Sequence, residues 1–224
     1  MYAPAQFPDR SIAGRLLADQ LVRMRVANPI VLALPRGGVP VALEIAKALG
    51  APLDLLLVRK IGVPWQPELA AGAVVDGEQT DIVLNEDVVA ASDIGPAALQ
   101  KLAQEELGEI ERRRNVYLRG RTSMSVAGRS AIVVDDGIAT GASVRAALTA
   151  VRRRSPKRLI LAVPVAPTET LVALRPLVDD LLCLATPDPF DAIGAHYRDF
   201  HQLTDREVVE MLNQAPAEEN AGAA

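Results

Sequence analysis

Two adjacent carboxylates, Asp135 and Asp136, stand at the end of an apolar run. Ahead of them lies a loop of small residues and hydroxyls, Gly137-Ile138-Ala139-Thr140-Gly141-Ala142-Ser143. Where a strand ends and a helix begins, exposed backbone N–H groups and the helix N-terminus attract an anion such as a phosphate. The hydroxyls of Thr140 and Ser143 add donors. Like charges repel, so the acid pair is not for that phosphate. Carboxylates do accept hydrogen bonds from sugar hydroxyls, and they stabilise positive charge developing nearby. The segment therefore suits a phosphate monoester on a sugar. No Lys follows Gly141 and the spacing is not G-x-G-x-x-G, so other phosphate-binding motifs do not apply. The plain alternative is a helix cap beside two solvated carboxylates.

Two further groups could meet an anion. In Arg36-Gly37-Gly38, paired glycines let backbone N–H groups approach closely and Arg36 supplies a charged donor. Arg59 and Lys60 form a basic pair at the end of the second apolar run. A simple strand-to-helix turn and two solvated cations are the corresponding plain readings. The triplets Arg112–Arg114 and Arg152–Arg154 read as solvated helix faces, and Cys183 as an inert core residue. His196 and His201 are five apart, a poor metal spacing on a helix.

The elements that must position these groups alternate. Apolar runs at 29–34, 53–58, 130–134, 158–165 and 180–184 read as strands, with helical patterns at 39–49, 141–154 and 168–177. A helix at 11–25 precedes them, a long polar helix spans 96–117 with Glu109 and Arg113 able to pair, and a last helix covers 205–212. Residues 61–85 are helix-poor, with a small hairpin at 71–75 and 81–84 turning at Asp76-Gly77. Fully apolar strands flanked by helices predict an α/β, three-layer fold around a mainly parallel twisted sheet. In such sheets ligands bind beyond the carboxyl ends of the strands, which is where the acid pair falls. One domain is expected over 1–214, with a lid or insert at about 61–118, a hood at about 186–203 and a disordered tail at 215–224.

Composition narrows the classes. The formal charge of −4 gives no basic face for nucleic acid. No run approaches the roughly 18 apolar residues of a membrane span. Residues 1–10 lack the cationic-then-apolar pattern of a secretory signal, and one cysteine excludes an internal disulfide. A soluble cytoplasmic protein is expected. Aromatic residues are scarce, seven in 224, and Trp65, Phe190, Tyr197 and Phe200 fall outside the expected sheet.

Residues 131–143 resemble the thirteen-residue signature of the type I phosphoribosyltransferases, an apolar strand, two acids and a loop ending Thr-Gly-x-Ser. Gly137 departs from it, an apolar residue being usual there. The chain also resembles, over about residues 7 to 213, a group of predicted bacterial phosphoribosyltransferases. The shared marks are Ala33-Leu34-Pro35-Arg36-Gly37-Gly38-Val39-Pro40, Val58-Arg59-Lys60-Ile61-Gly62, Pro67-Glu68-Leu69-Ala70, Val134 to Ser143, and Thr186-Pro187 with Phe190.

The resemblance implies transfer of phosphoribosyl from 5-phosphoribosyl 1-pyrophosphate to a nitrogen acceptor, a nucleobase, with release of pyrophosphate. It places Asp135 and Asp136 on the ribose hydroxyls, and Gly137, Ile138, Ala139, Thr140, Gly141, Ala142 and Ser143 around the 5′-phosphate. It places Arg36, Gly37, Gly38, Arg59 and Lys60 beside pyrophosphate. Magnesium is the implied cofactor, held through the substrate and through water from Asp135 or Asp136 rather than by direct protein ligands. Glu68 falls in the implied lid without an assigned role. Trp65, Phe190 and Tyr197 are candidates to stack on the acceptor. Ala139 stands where some 6-oxopurine enzymes place an acid, which counts against hypoxanthine and guanine, and the base stays open. A homodimer is implied. The alternative is a non-catalytic regulator of the same fold that senses phosphoribosyl pyrophosphate or a nucleotide. Arg36, Arg59 and Lys60 favour the enzyme, since a nucleotide sensor needs no pyrophosphate grip. A serine hydrolase lacks support, because no G-x-S-x-G elbow is present.

Overall fold

A computed structural model describes residues 7–77, 80–92, 94–118 and 123–216, leaving aside the side chains of 67 and 68. The Glu68 side chain and most of the expected tail thus lie outside what is described. The chain begins with α1 (Arg10–Arg23), capped by Asp9, whose carboxylate accepts the Ile12 N–H at 2.8 Å. Then follow β1 (Pro29–Ala33), α2 (Gly38–Leu49) and β2 (Leu53–Leu55). Next come β3 (Val58–Val63), β4 (Gln66–Val75), β5 (Asp81–Leu84), α3 (Glu86–Ala91) and α4 (Pro96–Leu118). The second half runs β6 (Ser130–Val134), α5 (Ala142–Arg153), β7 (Arg158–Val165), α6 (Thr168–Leu174), β8 (Asp180–Ala185) and α7 (Asp205–Leu212).

Among the described residues, five strands form one parallel sheet in the order β2-β1-β6-β7-β8. Its side chains alternate between two cores, as a period of two requires. Val31, Ala33, Ile132, Val134, Ile160 and Ala162 face one core, closed by α1, α2, α4 and α7. Ile30, Leu32, Ala131, Val133, Leu159 and Leu161 face the other, closed by α5 and α6. Burial on both faces explains the unbroken apolar runs, and the α/β three-layer expectation holds. No described helix is long and apolar enough to cross a membrane.

The run at 53–58 behaves differently from the single strand expected. The parallel sheet releases the chain at Leu55, and β3 enters a second, antiparallel sheet of order β3-β4-β5. Leu56 and Leu57 are both buried but belong to opposite cores, so the apolar run continues while the chain changes sheet. The hairpin expected at 71–75 and 81–84 is present, with β4 starting earlier at Gln66.

Charged residues hold this second sheet in place. Asp76, whose side chain is 2% exposed, accepts Arg114 at 3.1 Å, and its carbonyl accepts Arg154 at 2.8 Å. Arg154 also pairs with Asp81 at 3.1 Å. The solvated-face reading therefore fails for the third arginine of each triplet. It holds for Arg112, which pairs with Glu109 at 2.7 Å; Arg113 is half-buried and shares that carboxylate at 2.8 Å.

Asp54 performs a similar task below β2. Its buried carboxylate accepts the N–H groups of Leu55 and Met124, both at 2.8 Å, and burial pushes its pKa upward. Asp54→Ala leaves two buried donors unsatisfied and should cost about 2 kcal/mol of stability in urea denaturation. Asp54→Asn keeps an acceptor oxygen and should cost less. Equal stabilities for wild type and the alanine variant would show that these bonds contribute nothing.

Candidate active site

Parallel pairing of β1 with β6 aligns Ala33 with Val134, so the loops after both strands emerge side by side. The Leu34 N–H donates to the Val134 carbonyl at 2.9 Å and extends the alignment one residue further. The loop after β1 contains a cis peptide between Pro35 and Arg36 and then enters α2. A Cβ on Gly37 would lie 2.1 Å from Asp136 Oδ2. One on Gly38 would lie 2.7 Å from the Val134 carbonyl oxygen and 3.0 Å from Asp135 Cα. The paired glycines thus have a role beyond approach to an anion: they let the head of α2 pack directly on the acid pair.

The two acids differ in surroundings. Asp136 is 7% exposed, and its Oδ2 accepts Arg10 Nε at 2.7 Å. Burial raises its pKa, and the Arg10 hydrogen bond and charge pull it back. Asp135 is partly buried and accepts the Asp136 N–H at 2.9 Å. Burial, followed by the neighbouring Asp136 charge, holds its carboxyl well above the usual range.

Arg10 is a residue the sequence reading passed over. Its partner is 126 positions away, so no local spacing could announce it. One weak signal exists. A cation in the first turn of a helix opposes the helix dipole and calls for a compensating anion.

The loop after Asp136 is fixed by its neighbours. The Ile138 N–H donates to Val165 O at 2.9 Å, and Thr170 Oγ1 donates to Ala139 O at 2.8 Å. Gly137 fits because a Cβ there would lie 2.6 Å from Ile193 Cγ2, a residue of the expected hood. Thr140, Ala142 and Ser143 are exposed at the head of α5. They line a cavity of about 460 Å³, faced from β3 by Lys60 and flanked by Asn85, Glu86 and Arg145.

The other cations point elsewhere. Arg36 Nη1 lies 3.8 Å from Asp205 Oδ1 at the head of α7, and Tyr117 donates to the same oxygen at 2.6 Å. Arg59 Nε meets Glu106 Oε2 on α4 at 2.7 Å. The structure therefore joins Gly37 and Gly38 to Asp135 and Asp136, and Lys60 to Thr140 and Ser143. It sets Arg36 and Arg59 against carboxylates of α7 and α4.

The aromatic candidates separate as well. Trp65 is 67% exposed at the turn between β3 and β4. Phe190 is partly buried, its ring centroid 5.3 Å from that of His196. Tyr197 is 4% exposed, lies between Phe7 and Phe200 at 5.5 and 5.2 Å, and donates its hydroxyl to Asp136 O. A ring enclosed in this way offers no face to a base, so the stacking role expected of Tyr197 is corrected to a structural one. Cys183 donates to Ala185 O at 3.2 Å, and burial pushes its thiol pKa up, away from reactivity.

Carboxylate oxygens suit magnesium. Arg10 already occupies Asp136, and no group of three or more His, Cys, Asp or Glu residues able to hold an ion stands among the described residues. The Asp135 carboxyl offers the oxygen chemistry that such an ion takes.

Comparison with known proteins points to one family. The family model described as a phosphoribosyl transferase domain matches residues 6–197. Proteins from two strains of Mycobacterium tuberculosis, each named "Putative phosphoribosyl transferase", are 47% identical over 209 residues, covering 93% of this chain and 47% of their own length. The chain thus spans about half the length of the curated relatives it matches. The crystal structure of TT1426 from Thermus thermophilus is 40% identical, with a TM-score of 0.84, covering 95% of this chain and 100% of that one.

The contact between α2 and the acid pair is open to test. Gly38→Ala should lower stability by about 1–3 kcal/mol, because its Cβ meets backbone rather than a flexible side chain. Helix propensity alone favours Ala by about 1 kcal/mol, so the two effects differ in sign. Thermal melting decides between them, and an unchanged or higher Tm would refute the close packing.

Proposed function

The chain belongs to the phosphoribosyl transferase family, and we propose that it transfers the 5-phosphoribosyl group of phosphoribosyl pyrophosphate to a ring nitrogen of a nucleobase, releasing pyrophosphate. The observation that carries this reading is the convergence at the end of β6. An acid pair, a loop of small residues and hydroxyls, and the Gly37-Gly38 turn meet there through the pairing of β1 with β6.

The bond from C1 of the ribose to the pyrophosphate oxygen breaks as the acceptor nitrogen attacks C1. Positive charge builds on the ribose ring and extra negative charge on the departing pyrophosphate. Asp135 accepts the sugar hydroxyls and stands near the growing cation. Backbone N–H groups at the head of α5, with the hydroxyls of Thr140 and Ser143, take the 5′-phosphate. Lys60, across the cavity from them, and Arg36, on leaving Asp205, meet the charge on pyrophosphate. Arg59 joins them by exchanging Glu106 for the phosphate. Magnesium, held through the substrate and through water on Asp135 or Asp136, would supply further positive charge to the leaving group.

For the acceptor, Trp65 and Phe190 remain the candidates to stack on a base. Ala139 supplies no carboxylate, and its carbonyl is held by Thr170, so proton removal from the acceptor falls to another group.

Pyrophosphate release with magnesium and phosphoribosyl pyrophosphate, measured against a panel of nucleobases and small amines, tests the reading. Release that depends on one acceptor is the expected result. Binding without such release would favour a sensor of the same fold, and absence of binding would sink both. Asp135→Asn should fold normally and lower kcat/KM by about 10²-fold, the scale of losing one charge-stabilising group. Undiminished turnover would remove Asp135 from the site.

A further inference from the structure

Arg10 has no part in the chemistry above, yet it is among the most enclosed cations of the chain. Its side chain is 9% exposed and that of Asp136 10%. The Nε–Oδ2 distance is 2.7 Å, Nη1 donates to His201 O at 3.1 Å, and the guanidinium lies 3.8 Å over the Phe200 ring. Phe200 stacks on Tyr197, and the Tyr197 hydroxyl donates to the Asp136 carbonyl. Asp136 is therefore gripped at its carboxylate by α1 and at its backbone by the segment around residue 197. The Gly37 turn covers the carboxylate closely enough to leave no room for a Cβ.

Holding α1 to the sheet does not require such a pair. Ala13, Leu17, Ala18 and Leu21 already bury that helix. Desolvation offsets most of what a buried ion pair gains, so a hydrophobic contact would serve attachment at least as well. What a charged, multiply hydrogen-bonded pair adds is a fixed orientation. The neighbouring acid gains from it: the Asp136 N–H that orients Asp135 belongs to the immobilised residue.

We propose that Arg10 is a positioning residue of the acid pair, clamping Asp136 as an anchor so that Asp135 alone meets the ribose of the ligand. This rests on the reading of the site as one for phosphoribosyl pyrophosphate. It departs from the expectation that both acids take sugar hydroxyls. Arg10 acts first on the sugar end of the ligand: the Gly37 turn packs on the same carboxylate, but Arg36 and Lys60 lie on other elements and keep most of the pyrophosphate grip.

Calorimetric titration of the full chain with two magnesium-loaded probes, phosphoribosyl pyrophosphate and inorganic pyrophosphate, tests it. Failure of the wild-type protein to bind phosphoribosyl pyrophosphate would refute the underlying reading, and the clamp with it. Given binding, Arg10→Gln should weaken phosphoribosyl pyrophosphate about tenfold while pyrophosphate changes less than about twofold, a selective loss of the size expected for one positioned hydrogen-bonding group. Asp136→Asn should match that loss, and the Arg10→Gln/Asp136→Asn double variant should be no worse than either single one, because both act through one interaction. Asp135→Asn should lose more than any of them. Equal weakening of both probes with a falling Tm would show that Arg10 serves only the fold. A harmless Arg10→Gln beside an Asp136→Asn as damaging as Asp135→Asn would show that Asp136 binds the sugar itself. Either result overturns the proposal. Arg10→Lys, which keeps the charge but lacks the planar fork, carries the same comparison if Arg10→Gln fails to fold.

Discussion

Two carboxylates withdrawn from water at the end of a buried parallel strand set the terms for the rest of this structure. A carboxylate loses its hydration there, and two side by side also repel. The fold answers with three contacts. Arg10 supplies the opposing charge to Asp136, the Asp136 N–H supplies a donor to Asp135, and the Gly37-Gly38 turn brings the head of α2 against both. The first comes from α1, the second from the pair itself, and the third exists because β1 lies beside β6. The register of that one strand pair therefore controls both the anion turn and the acid pair.

The second sheet solves a separate problem. Lys60 must face the head of α5 across an open cavity, so β3 cannot remain in the central sheet. The antiparallel β3-β4-β5 sheet carries it there. Buried Asp76, with Arg114 from α4 and Arg154 from α5, ties the base of that sheet to the body. Such a pair is costly to break from one side, because a lone charge would be left enclosed. The free end, with Trp65 exposed at its turn, carries no comparable anchor among the described residues.

Much of this was legible in the residues themselves. The strands Ser130–Val134 and Arg158–Val165 and the helix Asp205–Leu212 fall where apolar runs and punctuation place them, because burial on two faces writes a continuous signal. That same signal conceals the break at Leu56-Leu57: both residues are apolar whichever core receives them. The acid pair and its loop were recognisable from adjacent positions. Arg10 was not, because a contact spanning 126 positions leaves no periodicity. The third arginine of each triplet looked like its exposed neighbours, since sequence gives no sign that Asp76 would be enclosed.

The scarcity of aromatic residues takes its meaning from the same contrast. From the sequence, Trp65, Phe190 and Tyr197 are candidates to meet a flat ligand, with Phe200 nearby. In the fold, Phe7, Tyr197 and Phe200 form one cluster, with Phe190 at its edge, beneath Asp136. Tyr197 and Phe200 are matched to the acid rather than to a base: one provides a hydroxyl for its carbonyl, the other a ring face for its arginine. Flat, stiff side chains suit this because they fix a hydrogen bond or a cation with little rotamer freedom to lose. A chain with few aromatics has thus placed them where an angle must be held. Under the proposed function, Trp65 on the second sheet and Phe190 at the edge of that mount are the candidates left to stack on an acceptor.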